Sequence, residues 1–239
     1  MNFVIPMAGR GQRFVNAGYK LPKMLIEAHG KTLLEWSISS LPLELCTNLV
    51  CIILKEHETE FALSSIIKSI YGKKVKLSFC FIETVTRGQA ETVYMAKELL
   101  DGDKDLLIFN IDTMFSSGTL PAALQRNDVD GVLGAFNSDE KRFSFAQIGQ
   151  EGIVTKTAEK EVISNHALTG LYHFKNPADF ETAASYYMEN NLHTNNEFYI
   201  APMYNYLIER GKKYILDTVD RHFILGTPEE LEHFLAAQL

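Results

Sequence analysis

Asn2-Phe3-Val4-Ile5-Pro6-Met7-Ala8-Gly9-Arg10-Gly11-Gln12-Arg13-Phe14 is the stretch whose reading decides the fold. The nearly unbroken apolar run Asn2–Met7 reads as a strand buried on both faces, as in a parallel sheet. It runs straight into a loop with two glycines, where the backbone can turn sharply and its amides can cradle phosphate oxygens. Arg13, and further on Lys23, bring positive charge to the same end of the strand. A plain tight turn would need the glycines but not the basic residues.

Outward from this stretch, short apolar runs alternate with longer mixed segments. Strands are expected at Asn2–Met7, Asn48–Leu54, Val75–Glu83, Leu106–Ile111 and Gly131–Phe136. Helices are expected between them, at Thr32–Ser40, Glu56–Tyr71, Gln89–Leu100 and Thr119–Gln125. This order predicts an α/β layered fold around a mostly parallel sheet, with ligands gathered outside the carboxyl ends of the strands. The second half reads as shorter strands at Phe145–Ile148, Ile153–Thr157 and Leu168–Phe174, then helices at Ala178–Glu189 and Ile200–Arg210. A strand at Tyr214–Val219 and a helix at Pro228–Ala237, capped by Thr227, complete the chain. A single domain is expected over 1–239, in two halves that divide at about residue 130.

Composition excludes several partners. With 239 residues, 46% of them hydrophobic, the chain can bury a core without disulfides or a structural metal. Its net charge of -7 gives no general attraction for nucleic acid or an anionic membrane. Cys46, Cys51 and Cys80 form no CxxC pair and read as free thiols of a reducing compartment. The opening MNFVIPMAGRG lacks the basic start and long apolar stretch of a secretory signal, so a cytoplasmic location is expected. Self-association stays open.

Two phosphate motifs fail on inspection. Phe14 stands where a dinucleotide fingerprint needs its third glycine, and Leu25 stands where a P-loop ending in Gly30-Lys31-Thr32 needs its first. Asp112, just past an apolar strand and facing the glycine loop, is a natural magnesium ligand, since magnesium takes carboxylate oxygens and shares its remaining positions with substrate phosphates. The same carboxylate could cap the following turn. Gln89, at the start of a helix, offers donor and acceptor together, as a base edge requires.

Three groups of residues together resemble the nucleotidyltransferase superfamily that activates sugar phosphates. The first is Gly9-Arg10-Gly11-Gln12-Arg13 with Pro22-Lys23-Met24-Leu25, similar to its GxGxR and PKxL signatures. The second is Thr86-Arg87-Gly88-Gln89-Ala90 with Asn110-Ile111-Asp112. The third is Glu159-Lys160 followed by Ser164-Asn165-His166-Ala167-Leu168-Thr169-Gly170-Leu171-Tyr172. The resemblance implies a Rossmann-like α/β/α sandwich with a mostly parallel mixed central sheet. It implies that Ala8, Gly9 and Gly11 hold the triphosphate, that Gly88, Gln89 and Asn110 face the nucleoside, and that Arg13 and Lys23 carry the catalytic charge. Glu159, Lys160, Gly170 and Glu197 would line the acceptor, although Glu197 could equally serve a helix N-terminus.

This sequence departs from the superfamily where Gly226-Thr227-Pro228 should be preceded by a metal-binding aspartate, because Ile224 stands there. Asp220, sharing a strand face with His222 and Ile224, is expected to supply that carboxylate, with Asp217 or a one-carboxylate site as alternatives. The expected activity is a magnesium-dependent condensation of a nucleoside triphosphate (CTP, UTP or dTTP) with a small phosphorylated acceptor, first of all a sugar 1-phosphate. A cytidylyltransferase acting on a non-sugar phosphate in capsule synthesis is the alternative, and a nucleotide-binding module without catalysis is the alternative of another class. A glycosyltransferase would carry a DxD pair, of which Asn110-Ile111-Asp112 has only the last acid.

Overall fold

The computed structural model describes residues 1–238. In chain order the first half runs β1 (Asn2–Met7), α1 (Gln12–Asn16), a hairpin of β2 (Glu27–Ala28) and β3 (Lys31–Thr32), α2 (Leu33–Ile38), β4 (Asn48–Leu54), α3 (Lys55–Phe61), α4 (Leu63–Tyr71), β5 (Lys76–Ile82), α5 (Gln89–Tyr94) and β6 (Leu106–Phe109). The second half runs β7 (Thr113–Ser116), α6 (Leu120–Leu124), β8 (Gly131–Asn137), β9 (Ser144–Ile148), β10 (Val154–Glu159), β11 (His166–Phe174), α7 (Pro177–Glu189), α8 (Met203–Ile208), β12 (Tyr214–Thr218), β13 (Arg221–Ile224) and α9 (Pro228–Ala236).

A nine-stranded mixed sheet forms the centre. β5, β4, β1 and β6 lie side by side and parallel. β11 then pairs antiparallel with β6 and β8, and β12 extends the sheet parallel to β8. The strands show why the apolar runs are unbroken. Phe3, Ile5 and Met7 face one layer with Leu34, Ile38, Leu63, Ile67 and Leu120. Val4 faces the other, with Val93, Phe180, Ala184, Met203 and Tyr204. Helices thus cover both faces, giving the expected sandwich. Among the described residues no helix is long and apolar enough to cross a membrane.

Several expected elements change in detail. The single helix expected over Glu56–Tyr71 is two, because Ala62 adopts a left-handed conformation (φ 49°). The Glu58 carboxylate accepts from Ser64 N–H at 2.8 Å and its hydroxyl at 2.7 Å, restarting the helix there. The helix expected to reach Leu100 ends at Tyr94, and a 3-10 turn follows at Lys97–Leu99. The strand expected to Ile111 stops at Phe109, freeing Asn110–Asp112 for the cleft. The strand read through His222 and Ile224 is β13, but β7 and its antiparallel pairing with β13 were not foreseen, β7 being only four residues long. Thr32 caps α2 in a reciprocal capping box with Glu35, so Gly30-Lys31-Thr32 leads into an ordinary helix start.

A third, smaller apolar cluster matters for the site. Phe14 of α1, Trp36 of α2 and Leu231 and Phe234 of α9 pack together. This anchors the helix after the glycine loop against the C-terminal helix, so both borders of the cleft share one support.

Candidate active site

A cleft of about 530 Å3 opens at the carboxyl ends of β1 and β6, within the range of small-molecule sites. Its first wall is the loop Ala8–Gly11, with Arg13 beyond it. Burial of Phe14, edge-on to Tyr19 at 5.2 Å, fixes the short α1 and therefore the direction of Arg13. Arg10 turns away, to Glu56 at 3.0 Å, with both side chains about half exposed. Lys23 follows Pro22, whose extended backbone leads into a 3-10 turn that buries Met24 and Leu25. Those anchors aim the Lys23 ammonium across the cleft at Asp112 Oδ2, 3.0 Å away. The two side chains are 16% and 33% exposed, so the pair is sheltered yet reachable by a ligand. Desolvation alone would raise the Asp112 carboxyl, but the Lys23 ammonium and the Arg13 charge outweigh it and hold it below its ordinary value.

Thr86–Gln89 forms the second wall. At Gly88 (φ 127°) a side chain would meet the Phe198 backbone, since a Cβ would lie 2.6 Å from Phe198 N. Phe198 N donates to Arg87 O at 2.7 Å and Ala90 N donates to Phe198 O at 3.0 Å. The segment carrying Gln89 is thereby tied to the segment carrying Glu197. The Gln89 amide donates to Asn110 Oδ1, so these two side chains act as one unit. Asn110 in turn presses on Gly170 (φ 87°), where a Cβ would lie 2.2 Å from Asn110 Nδ2.

The far end of the cleft is lined by Ser144, Glu159, Tyr172, Glu197 and Tyr199. Burial raises the Glu159 carboxyl above its ordinary value, partly offset by the Ser144 hydroxyl that donates to it and by the Lys160 charge. Phe136 stacks on His222 with ring centres 3.8 Å apart. Burial, reinforced by the Arg142 charge, pushes the His222 imidazole down to about 4, so it stays neutral at pH 7.

The candidate site residues read from the sequence all border this cleft except Lys160, Asp220 and the alternative Asp217. The Lys160 ammonium lies outside, on the Tyr199 hydroxyl at 2.6 Å. Asp220, expected as the second carboxylate, points elsewhere: it stands between β12 and β13 and accepts from Gly118 N at 2.9 Å. Asp217 is buried and takes the Ser117 and Thr119 hydroxyls at 2.7 and 2.6 Å. The carboxylate that does reach the cleft is Glu230 of α9. Its Oε2 accepts from Gly226 N at 2.9 Å. A Cβ on Gly226 would lie 3.2 Å from Glu230 Oε2 and 3.5 Å from Asp112 Oδ2, so both carboxylates border one point.

Sequence reasoning passed over Glu230 because Glu229-Glu230 after Pro228 reads as charge complementing a helix N-terminus. It passed over Arg142 because Asp139-Glu140-Lys141-Arg142 reads as a solvated loop, yet Arg142 lines the cleft and pairs with Glu230. Neither residue carries a local signal of these contacts.

The family profile described as nucleotidyl transferase matches residues 3–218. Among solved structures, a nucleoside-diphosphate-sugar pyrophosphorylase from Vibrio cholerae RC9 is 35% identical, with a TM-score of 0.86, and the match covers 98% of this chain and 100% of that one. An inositol-1-phosphate CTP transferase from T. maritima shares the fold at 13% identity and a TM-score of 0.77, covering 96% and 90% of the two chains. A UDP-glucose pyrophosphorylase complexed with UDP-glucose does so at 18% identity and 0.78, covering 97% and 96%. No curated protein sequence matches this chain.

Proposed function

The chain belongs to the nucleotidyl transferase family, and from that premise we propose that it joins a nucleoside triphosphate to a sugar 1-phosphate, releasing pyrophosphate. The observation that carries this reading is the Lys23–Asp112 pair, a cation and an anion held across one cleft from the glycine loop. The 35% identical pyrophosphorylase supports the class of acceptor.

In the proposed reaction an oxygen of the acceptor phosphate attacks the α-phosphorus, the new O–P bond forms, and the bond from the α-phosphorus to its bridging oxygen breaks. Pyrophosphate carries away the electron pair. No base is required, because a phosphate monoester is largely ionised near neutral pH. The Ala8–Gly11 amides and Arg13 border the triphosphate, and Lys23 lies where charge shifts from the acceptor to the leaving group. Positioned cations are what such a transfer needs. Gln89, braced by Asn110, faces the base. Glu159, Ser144 and Tyr199 offer hydrogen-bond partners to sugar hydroxyls.

Magnesium fits the donor set, since Asp112 and Glu230 put two carboxylates beside one point and substrate phosphates would complete the coordination. When bound, the ion would neutralise charge on the triphosphate. Among the described residues there is no group of three or more His, Cys, Asp and Glu side chains able to hold a metal, so the protein contributes few ligands of its own.

The test is a pyrophosphate-release screen of the four triphosphates against phosphorylated sugars and alcohols, with and without magnesium. Release with one sugar 1-phosphate is the expected result. Release only with a non-sugar phosphate would change the acceptor, and no release with any pair would sink the reading.

A further inference from the structure

Three cations line the cleft: Arg13, Lys23 and Arg142. Arg13 borders the glycine loop, and Lys23 is engaged by Asp112. Arg142 enters from the other side, in the loop between β8 and β9, two residues before the Ser144 that bonds Glu159. Lys160 cannot play the same part from its observed place, because its ammonium sits outside the cleft on the Tyr199 hydroxyl and over that ring, 4.7 Å from its centre. On the acceptor side, therefore, Arg142 is the guanidinium or ammonium that borders the cleft among the described residues.

We propose that Arg142 is the ligand of the acceptor's phosphate, and that the Glu230 carboxylate occupies its guanidinium until that phosphate displaces it. The proposal rests on the acceptor half of the cleft taking a phosphomonoester. A guanidinium has five N–H donors. In Arg142, Nε donates to Glu140 at 2.8 Å and Nη1 to Glu230, which leaves three donors for a further anion. Phosphate and carboxylate both match the planar fork of arginine, so exchange of one for the other needs little rearrangement. The two partners differ in freedom. The Arg142 side chain is 46% exposed, while Glu230 is 15% exposed and held by Gly226 N at 2.9 Å. Arg142 is the member that can move, and Glu230 stays beside Asp112. The rings bordering it cannot compete for the anion: Phe143 lies 4.7 Å from the guanidinium carbon, and neighbouring His222 carries no charge at pH 7.

The experiment titrates inorganic phosphate calorimetrically, in magnesium-free buffer, into wild type, Glu230→Gln, Arg142→Met and Arg142→Lys. Each protein is first saturated with the triphosphate that raises its thermal midpoint most, so that the glycine loop is occupied. Glu230→Gln keeps an acceptor for Gly226 N–H but removes the competing charge, so phosphate should bind several-fold tighter, on the order of 3- to 10-fold. Arg142→Met should bind it roughly tenfold more weakly or worse, with Arg142→Lys between the two. Triphosphate affinity should be the same in wild type and the two arginine variants. Phosphate binding that is absent from wild type, unchanged or weaker in Glu230→Gln, or unchanged in Arg142→Met overturns the proposal, and so does a loss of triphosphate affinity in the arginine variants. Failure of the transferase reading shows separately, as no pyrophosphate release from wild type with any substrate pair.

Discussion

Lys23 and Asp112, 89 positions apart in sequence, meet at 3.0 Å across the mouth of the sheet. The lysine comes from the 3-10 turn after α1, and the aspartate from just beyond β6, the parallel neighbour of β1. Pairing β1 with β6 in register from Asn2↔Leu106 brings these two loops to the same edge. The ion pair is thus a consequence of sheet topology. It sets two opposite charges side by side at the border of the cleft.

Replacing Lys23 by Met retains most of the length and the apolar stem, so the fold should persist. The variant should still bind triphosphate measurably through the glycine loop and lose turnover by about 100-fold or more, the scale of losing one preorganised donor. Parallel calorimetry and steady-state kinetics distinguish this from a structural role. Wild-type turnover would remove Lys23 from the chemistry.

Asp112→Asn keeps the shape of the side chain but removes the charge that would attract a divalent ion. The expected outcome is loss of magnesium-dependent activity with a modestly lowered thermal midpoint, because the sheltered Lys23 ammonium loses the carboxylate that balances it. Manganese binding followed by electron paramagnetic resonance gives a readout apart from turnover. Tight manganese binding by the variant in the presence of triphosphate would count against the assignment.

The parallel half of the fold was legible because β1, β4 and β6 are buried on both faces and therefore read as unbroken apolar runs. The glycine loop and Asp112 were legible because each lies just past the end of such a strand, and Lys23 because it stands in Pro22-Lys23-Met24-Leu25. What escaped was set by contacts remote in sequence. Asp220 falls in the turn between β12 and β13, outside both strands, and accepts from Gly118, while α9 delivers Glu230 instead. The Arg142–Glu230 pair joins residues 88 apart, and no local spacing could announce it.

Gly170→Ala tests how the acceptor strand is fitted to the nucleoside side. Residue 170 has φ 87°, a region costly for alanine, and the added methyl would fall 2.2 Å from Asn110 Nδ2. Backbone strain of this kind costs of order 1–3 kcal/mol. Displacing Asn110 should also release the Gln89 amide that it accepts from. Urea unfolding should therefore show a loss of roughly that size together with weaker triphosphate binding. Full stability in the variant would mean that the strand bends to accept a side chain.

Acidification should weaken the fold, and His173 gives the sign. It is buried on β11, 1% exposed, with its Nδ1 lacking a hydrogen-bond partner among the described residues. Burial lowers its pKa from the ordinary 6.5, and the Asp105 carboxylate at 3.1 Å does not overcome that. Below pH 6.5 the unfolded chain therefore binds a proton that the folded chain refuses, and stability falls as pH drops toward the lowered folded value. Asp105 adds the same sign at lower pH. Burial opposes its charge, but His173 and Lys175 win and hold its carboxyl below the ordinary 3.8, so its contribution is present above that value and is lost as pH falls through the folded one. Denaturant midpoints measured from pH 7.5 to pH 5 should fall steadily in wild type. In His173→Gln, whose midpoint at pH 7.5 should already be lower, the decline across this window should be shallower, since one proton-refusing group is gone. An equal slope in the two proteins would show that His173 is free to take up its proton in the folded state.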